Sequence, residues 1–115
     1  MEKIVIEGER RLEGRTRING AKNAALPIMA ACILLHGTSR IKGVPNIIDI
    51  KTQSEILQKL GGKIKRLDDG TLEIIFLDGE NDDSFTAPYE LVSKMRASIC
   101  VLGPLLSKRR RAKVS

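Results

Sequence analysis

The chain has 115 residues, 42% of them hydrophobic, a length that suits one domain and an apolar content that supplies a packed core, which excludes a disordered segment. Its 20 Lys and Arg against 14 Asp and Glu give a net charge of +6, favouring anionic partners such as nucleotides, sugar phosphates or nucleic acid. Aromatic content of 3% with no Trp removes the stacking platforms of single-strand binders, so no nucleic-acid partner is expected.

The first elements expected are two short strands, Lys3-Ile4-Val5-Ile6-Glu7 and Arg15-Thr16-Arg17-Ile18, both alternating and β-branched. From Asn23 to Leu35 the residues are apolar on every side, which predicts a helix buried all round, with Asn23 as N-cap and Pro27 in its first turns. Cys32 in this run and Cys100 further on lack metal-ligand spacing, so both read as thiols in a reducing compartment, the cytoplasm. Neither a long apolar span nor a signal-peptide pattern at Met1-Glu2-Lys3-Ile4 is present, so no membrane association or export is expected.

Ser39 to Val44 reads as a strand closed by Pro45, and Asp49 as the N-cap of a second helix that buries Ile56, Leu57 and Leu60 and stops at Gly61-Gly62. Lys63–Leu67 and Thr71–Phe76 predict a hairpin around Asp68-Asp69-Gly70, with Leu72, Ile74 and Phe76 on one face. A polar loop from Asp78 to Thr86 follows. Leu91, Met95, Ile99, Leu102 and Leu106 recur at three- and four-residue spacing, predicting a third helix over 89–106 that Pro104 bends near its end. Arg111 to Val114 reads as the start of another strand.

Two places carry chemistry. Gly20-Ala21-Lys22-Asn23 lies where a strand gives way to a helix, so the Lys22 ammonium and the free N–H groups of the helix start can face one anion. A lysine at such a corner is also compatible with an idle surface role. On the third helix Arg96 and Cys100 lie on neighbouring turns of one flank; an arginine there can fork two N–H bonds to a phosphate or carboxylate, or simply pack its stem on the core.

The strings Gly20-Ala21-Lys22-Asn23-Ala24-Ala25-Leu26-Pro27, Val44-Pro45 with Asp49-Ile50, and Lys94-Met95-Arg96-Ala97-Ser98-Ile99 with Leu102-Gly103-Pro104-Leu105 resemble the UDP-N-acetylglucosamine 1-carboxyvinyltransferase family, in family order and spacing. The resemblance covers essentially the whole chain but only the first part of the family sequence. It implies an α/β (α+β) fold: an incomplete βαβαββ-type unit of the enolpyruvyl transferase inside-out α/β barrel, helices inside and sheets outside. Residues 1–20 would be initial strands belonging to the far domain, and 21–115 the first repeat unit, truncated at its C-terminus.

The implied reaction passes the enolpyruvyl group of phosphoenolpyruvate to the 3′-hydroxyl of UDP-N-acetylglucosamine, releasing phosphate and committing the sugar to peptidoglycan, with no metal or organic cofactor. By resemblance Lys22 contacts phosphoenolpyruvate near the reacting centre, Asn23 holds the sugar nucleotide and Arg96 lies beside the substrate site, while an N-cap role accounts for Asp49. The family's catalytic cysteine sits in a Pro-Gly-Gly-Cys loop that would follow Ala112-Lys113-Val114-Ser115, and Cys100 does not replace it. The run Lys108-Arg109-Arg110-Arg111 departs from the family pattern and reads as a solvated loop.

Three readings follow: a truncated transferase inactive at this length, which we favour; a UDP-sugar-binding module; or a packing fragment that self-associates or needs a complementary chain through unpaired surfaces. The alternative enzyme is an enolpyruvylshikimate phosphate synthase, which typically has a serine-rich motif where this chain has Asn23-Ala24-Ala25.

Overall fold

The computed structural model describes residues 2–79 and 84–114. Residues 2–20 form neither expected strand: they are exposed throughout and without regular secondary structure. Ile4, Val5, Ile6, Leu12 and Ile18 stand in solvent. The alternation that reads as a strand is present, but among the described residues this segment pairs with no strand. This arm raises the Cα radius of gyration to 17.2 Å, against about 13 Å for a compact chain of this size.

Helix α1 (Lys22–Ala31) continues into a 3-10 turn over Cys32–Leu34. Ala25, Leu26, Met29 and Ala30 are buried, whereas Ile28, Leu34 and Leu35 are exposed, so the helix is not covered all round. Strand β1 (Gly37–Ile41) begins two residues earlier than expected and ends before Val44, and it precedes helix α2 (Ile48–Lys59). Ile50, Ile56 and Leu57 form the buried face of α2, and Leu60 is buried just beyond it.

Strands β2 (Lys63–Arg66) and β3 (Leu72–Phe76) form the predicted hairpin. Its turn closes with Leu67 N–H donating to Thr71 O at 2.8 Å, and Gly70 takes a φ of 82°, a left-handed conformation that glycine tolerates. The sheet order is β1-β3-β2, antiparallel, with Gly37 opposite Phe76 and Lys63 opposite Ile75. Leu72, Ile74 and Phe76 all point into the core, as the alternation requires. Gly62 lies so close to this face that a Cβ there would stand 2.7 Å from the Phe76 ring.

The third helix is not continuous. It divides into α3 (Tyr89–Val92), a 3-10 helix over Arg96–Val101 and α4 (Leu102–Arg109), with Met95 between the first two in an extended conformation (φ −151°, ψ 114°). A 3-10 helix repeats every three residues, so burial falls on Met95, Ser98 and Val101, and then Leu105, while Ile99 and Leu106 turn outward. Pro104 sits in the first turn of α4, where its missing N–H costs no intrahelical bond, and so it does not bend a helix end.

The expected polar loop from Asp78 to Thr86 falls partly outside the described residues. Its end forms strand β4 (Thr86–Ala87), which pairs in parallel with β5 (Lys113–Val114). The α/β character is as expected: one three-stranded and one two-stranded sheet with helices packed together, and no closed barrel among the described residues.

Candidate functional site

The start of α1 is set by a backbone contact. Gly20 N–H donates to Gly43 O at 3.0 Å, and a Cβ at Gly20 would lie 2.4 Å from that oxygen, so the approach requires glycine. Ala21 follows in an extended conformation (φ −73°, ψ 129°) and is the N-cap, without a side-chain capping bond. Asn23 is therefore not the cap: it is the second residue of the helix, its side chain exposed and without a hydrogen-bond partner among the described residues. The N–H groups of Ala24 and Ala25 turn to Ala21 O at 3.1 and 3.0 Å. Those of Lys22 and Asn23 have no described acceptor, as the opening turn of a helix dictates.

Lys22, the first residue of α1, extends its ammonium to Asp49: Nζ to Oδ2 is 2.7 Å. Asp49 is not the N-cap of α2 either. Ile47 occupies that position (φ −126°, ψ 166°), and Asp49 stands in the first helical turn, its carboxylate directed to Lys22 rather than to its own backbone. The two side chains are 45% and 27% exposed, so the pair is solvent-screened and worth at most about 1 kcal/mol. One of the three ammonium donors serves Asp49, which leaves the others for an incoming anion.

Arg96 opens the 3-10 helix instead of lying on the flank of a long helix, and its exposed side chain has no hydrogen bond or ion pair among the described residues. Helix α1 packs against this 3-10 helix, so Lys22, Asn23 and Arg96 sit on two elements in mutual contact, although no bond joins Arg96 to the other two. A groove between α2 and the hairpin, lined by Ile50, Ser54, Arg66 and Leu72, includes none of the three.

Arg66 escaped the sequence reading. At the end of β2 its guanidinium donates to Val44 O at 3.0 Å, Gly70 O at 2.8 Å and Pro45 O at 3.3 Å. Spacing carries no signal for the contacts to Val44 and Pro45, whose carbonyls lie in the loop before α2, while Gly70 lies four residues on in the hairpin turn.

The basic run is a solvated loop only in part: Lys108 and Arg109 end α4, and the exposed Arg110 and Arg111 follow it. Lys108 pairs with Asp78 at 2.5 Å, Arg109 lies over the Phe76 ring at 6.0 Å and donates to Ser84 O, and Arg111 lies over the Phe85 ring at 5.6 Å. Arg110 is the C-cap of α4, with a φ of 55°. Of the two free thiols, Cys100 is partly buried and Cys32 buried; burial pushes the Cys32 thiol up, partly offset by a hydrogen bond from Ser39. Among the described residues no group of three His, Cys, Asp or Glu could hold a metal ion, and no helix is long and apolar enough to cross a membrane.

What the site offers is donors: the Asp49-paired Lys22 ammonium and, without partners among the described residues, two backbone N–H groups and the Arg96 guanidinium on adjoining elements, suited to phosphate and carboxylate oxygens. Residues 6–114 match the sequence profile described as EPSP synthase (3-phosphoshikimate 1-carboxyvinyltransferase), and the chain belongs to this family of enolpyruvyl transferases. The crystal structure of the enolpyruvyl transferase NikO from Streptomyces tendae is similar with a TM-score of 0.72 at 25% identity, over 87% of this chain and 22% of that one.

Within the family the similarity is to one kind of relative. The chain is 50% identical over its whole length to UDP-N-acetylglucosamine 1-carboxyvinyltransferase 2 of Carboxydothermus hydrogenoformans, covering 26% of that protein. It is 49% identical to UDP-N-acetylglucosamine 1-carboxyvinyltransferase of Desulfosudis oleivorans and 48% to that of Cellvibrio japonicus, covering 27% of each. The chain thus spans about a quarter of the length of the curated relatives it matches.

Proposed function

We propose that the chain supplies part of the active site of an enzyme that transfers the enolpyruvyl group of phosphoenolpyruvate to the 3′-hydroxyl of UDP-N-acetylglucosamine, releasing phosphate. The observation that carries this reading is identity of 44–50% along the whole chain to relatives bearing that name. The exposed cationic corner at the start of α1 supports it. In this reading Lys22 meets the phosphate and carboxylate of phosphoenolpyruvate, where a fixed cation stabilises charge that develops in an addition–elimination. Asn23 holds the sugar nucleotide and Arg96 a further anionic group beside it.

The same reading places the reaction in the cytoplasm, as the first committed step of peptidoglycan synthesis, without a metal or organic cofactor. Residues 1–20 then belong with a far domain, for which the apolar side chains of the exposed arm are suited, and 21–115 form the first repeat unit. At this length alone the chain binds but does not turn over, and its uncovered apolar faces favour self-association or a complementary chain.

A chimera tests the proposal: this chain replaces the corresponding first segment of the Carboxydothermus hydrogenoformans relative, and phosphate release from phosphoenolpyruvate is followed. Release with UDP-N-acetylglucosamine, absent with shikimate 3-phosphate and reduced about a hundredfold or more by Lys22→Met, is expected. Release with shikimate 3-phosphate instead would transfer the assignment to the other branch of the family. A folded chimera that binds UDP-N-acetylglucosamine without releasing phosphate would favour the non-catalytic binding module.

A further inference from the structure

We propose that Arg66 is a positioning residue for Lys22: its guanidinium fixes the loop from which both Lys22 and its partner Asp49 are hung. The inference rests on reading Lys22 as the substrate-facing cation, but its geometry can be tested without substrate.

The loop in question joins β1 to α2. Arg66 Nη1 donates to Val44 O and to Gly70 O, and Nη2 to Pro45 O, so one side chain ties the tip of the β2–β3 hairpin to two successive carbonyls of that loop. Gly43, next to Val44, has a φ of 72° and presents its carbonyl to Gly20 N–H, two residues before Lys22. On the other side of Pro45 the loop runs through Asn46 and Ile47 into the first turn of α2, where Asp49 receives the Lys22 ammonium at 2.7 Å. The entry to α1 and the entry to α2 are therefore both referenced to one short segment. Among the described residues, Arg66 makes the side-chain hydrogen bonds that hold this segment to the sheet.

The chemistry of the side chain fits that task. A planar guanidinium can address three carbonyls from two nitrogens in a fixed plane, whereas a lysine offers a single point of attachment. Val44 and Pro45 are buried, and a carbonyl shielded from water needs a donor within the protein, which Arg66 supplies. The exposed Lys22–Asp49 pair is weak by itself, and a weak pair keeps one geometry only when the backbones bearing it are fixed. Arg66, Gly20, Gly43 and Gly70 line one cleft beside the N-terminal arm, which places the clamp next to the Gly20–Gly43 contact that sets the entry to α1.

The experiment measures how fast each lysine of this chain is acetylated by a water-soluble N-hydroxysuccinimide ester, read residue by residue by mass spectrometry. Exposed Lys94, which has no described partner, serves as internal reference. An ammonium held by a carboxylate must leave it before the amine can attack, so Asp49→Asn sets the rate for a released Lys22. Arg66→Met is expected to raise the Lys22 rate relative to Lys94 about threefold or more, towards the Asp49→Asn value, with Arg66→Lys in between.

A Lys22 rate unchanged in Arg66→Met while Asp49→Asn raises it would overturn the proposal, as would an Asp49→Asn variant with no effect. If Arg66→Met raises every lysine together because the fold is lost, Arg66→Lys decides: a Lys22-specific rise supports positioning, and an unchanged Lys22 rate refutes it. Phosphoenolpyruvate added to the unaltered chain probes the transferase reading separately. Failure to protect Lys22 would count against that reading while the variant rates stand.

Discussion

The Lys22 ammonium meets the Asp49 carboxylate at 2.7 Å, joining the first turn of α1 to the first turn of α2. Asp49 has a second favourable interaction in that position, because the amino end of a helix carries partial positive charge.

Both effects are modest and open to solvent. The ion pair contributes up to about 1 kcal/mol and the helix-end interaction about 0.3–1 kcal/mol. Asp49→Asn should therefore lower stability by less than about 2 kcal/mol, and the loss should shrink in 1 M salt, where charges are screened over about 3 Å. Urea unfolding at low and high salt checks this. A loss of several kcal/mol that ignores salt would mean that Asp49 is held by buried contacts rather than by Lys22.

Gln53 makes a contrasting case in the core. It is 0% exposed on the buried face of α2, yet its Nε2 and Oε1 have no hydrogen-bond partner among the described residues. Burying an amide without partners costs about 1–3 kcal/mol. Gln53→Leu, close in volume and without polar atoms, should raise the midpoint of thermal unfolding, by roughly 1–2 kcal/mol in stability terms. A lower midpoint would show that the amide is satisfied in solution, for instance by an enclosed water.

The sequence made the hairpin readable because two independent signals agreed, the Asp68-Asp69-Gly70 turn and the alternation of Leu72, Ile74 and Phe76. The third helix misled because Leu91, Met95, Ile99, Leu102 and Leu106 satisfy a helical period that the chain abandons at Met95, where the backbone extends and then resumes with a three-residue repeat. Local pattern cannot reveal such a break when no glycine or proline marks it. The corner that carries Lys22 and Asn23 was legible from the motif and the change of period. Its supports were not: Asp49 looks like a cap and Arg66 like an ordinary strand residue until tertiary structure brings their partners to them.

The thiols should differ in reactivity. Attack by iodoacetamide needs the thiolate, and burial raises the Cys32 thiol while its Sγ donates to Ile28 O at 3.4 Å. Cys100 is partly exposed. At neutral pH Cys100 should be alkylated first, about tenfold or more faster, with Cys32 following only on unfolding. Peptide mapping after a timed quench gives both rates, and equal rates in the folded chain would contradict the burial of Cys32 in the 3-10 turn that follows α1.

Acid should weaken the fold through two surface aspartates. The backbone N–H of Thr71, at 2.8 Å from Oδ1, is the main influence holding the Asp69 carboxyl below its ordinary 3.8, and hydrogen bonding from Lys108 does the same for Asp78. In each the folded state favours the charged form, so it binds fewer protons than the unfolded chain. The stabilisation is present above the ordinary value of 3.8 and is lost as pH falls below it through the lower folded value. The double variant Asp69→Asn with Asp78→Asn has no charge to titrate at either place, though each amide oxygen can still accept a hydrogen bond. Its stability, measured by urea unfolding from pH 5 downward, should therefore fall less steeply below about pH 4 than that of the unaltered chain. Parallel curves would mean that neither carboxylate is bound more tightly in the folded chain than in the unfolded one, and that the hairpin turn and the Lys108 contact do not persist in solution.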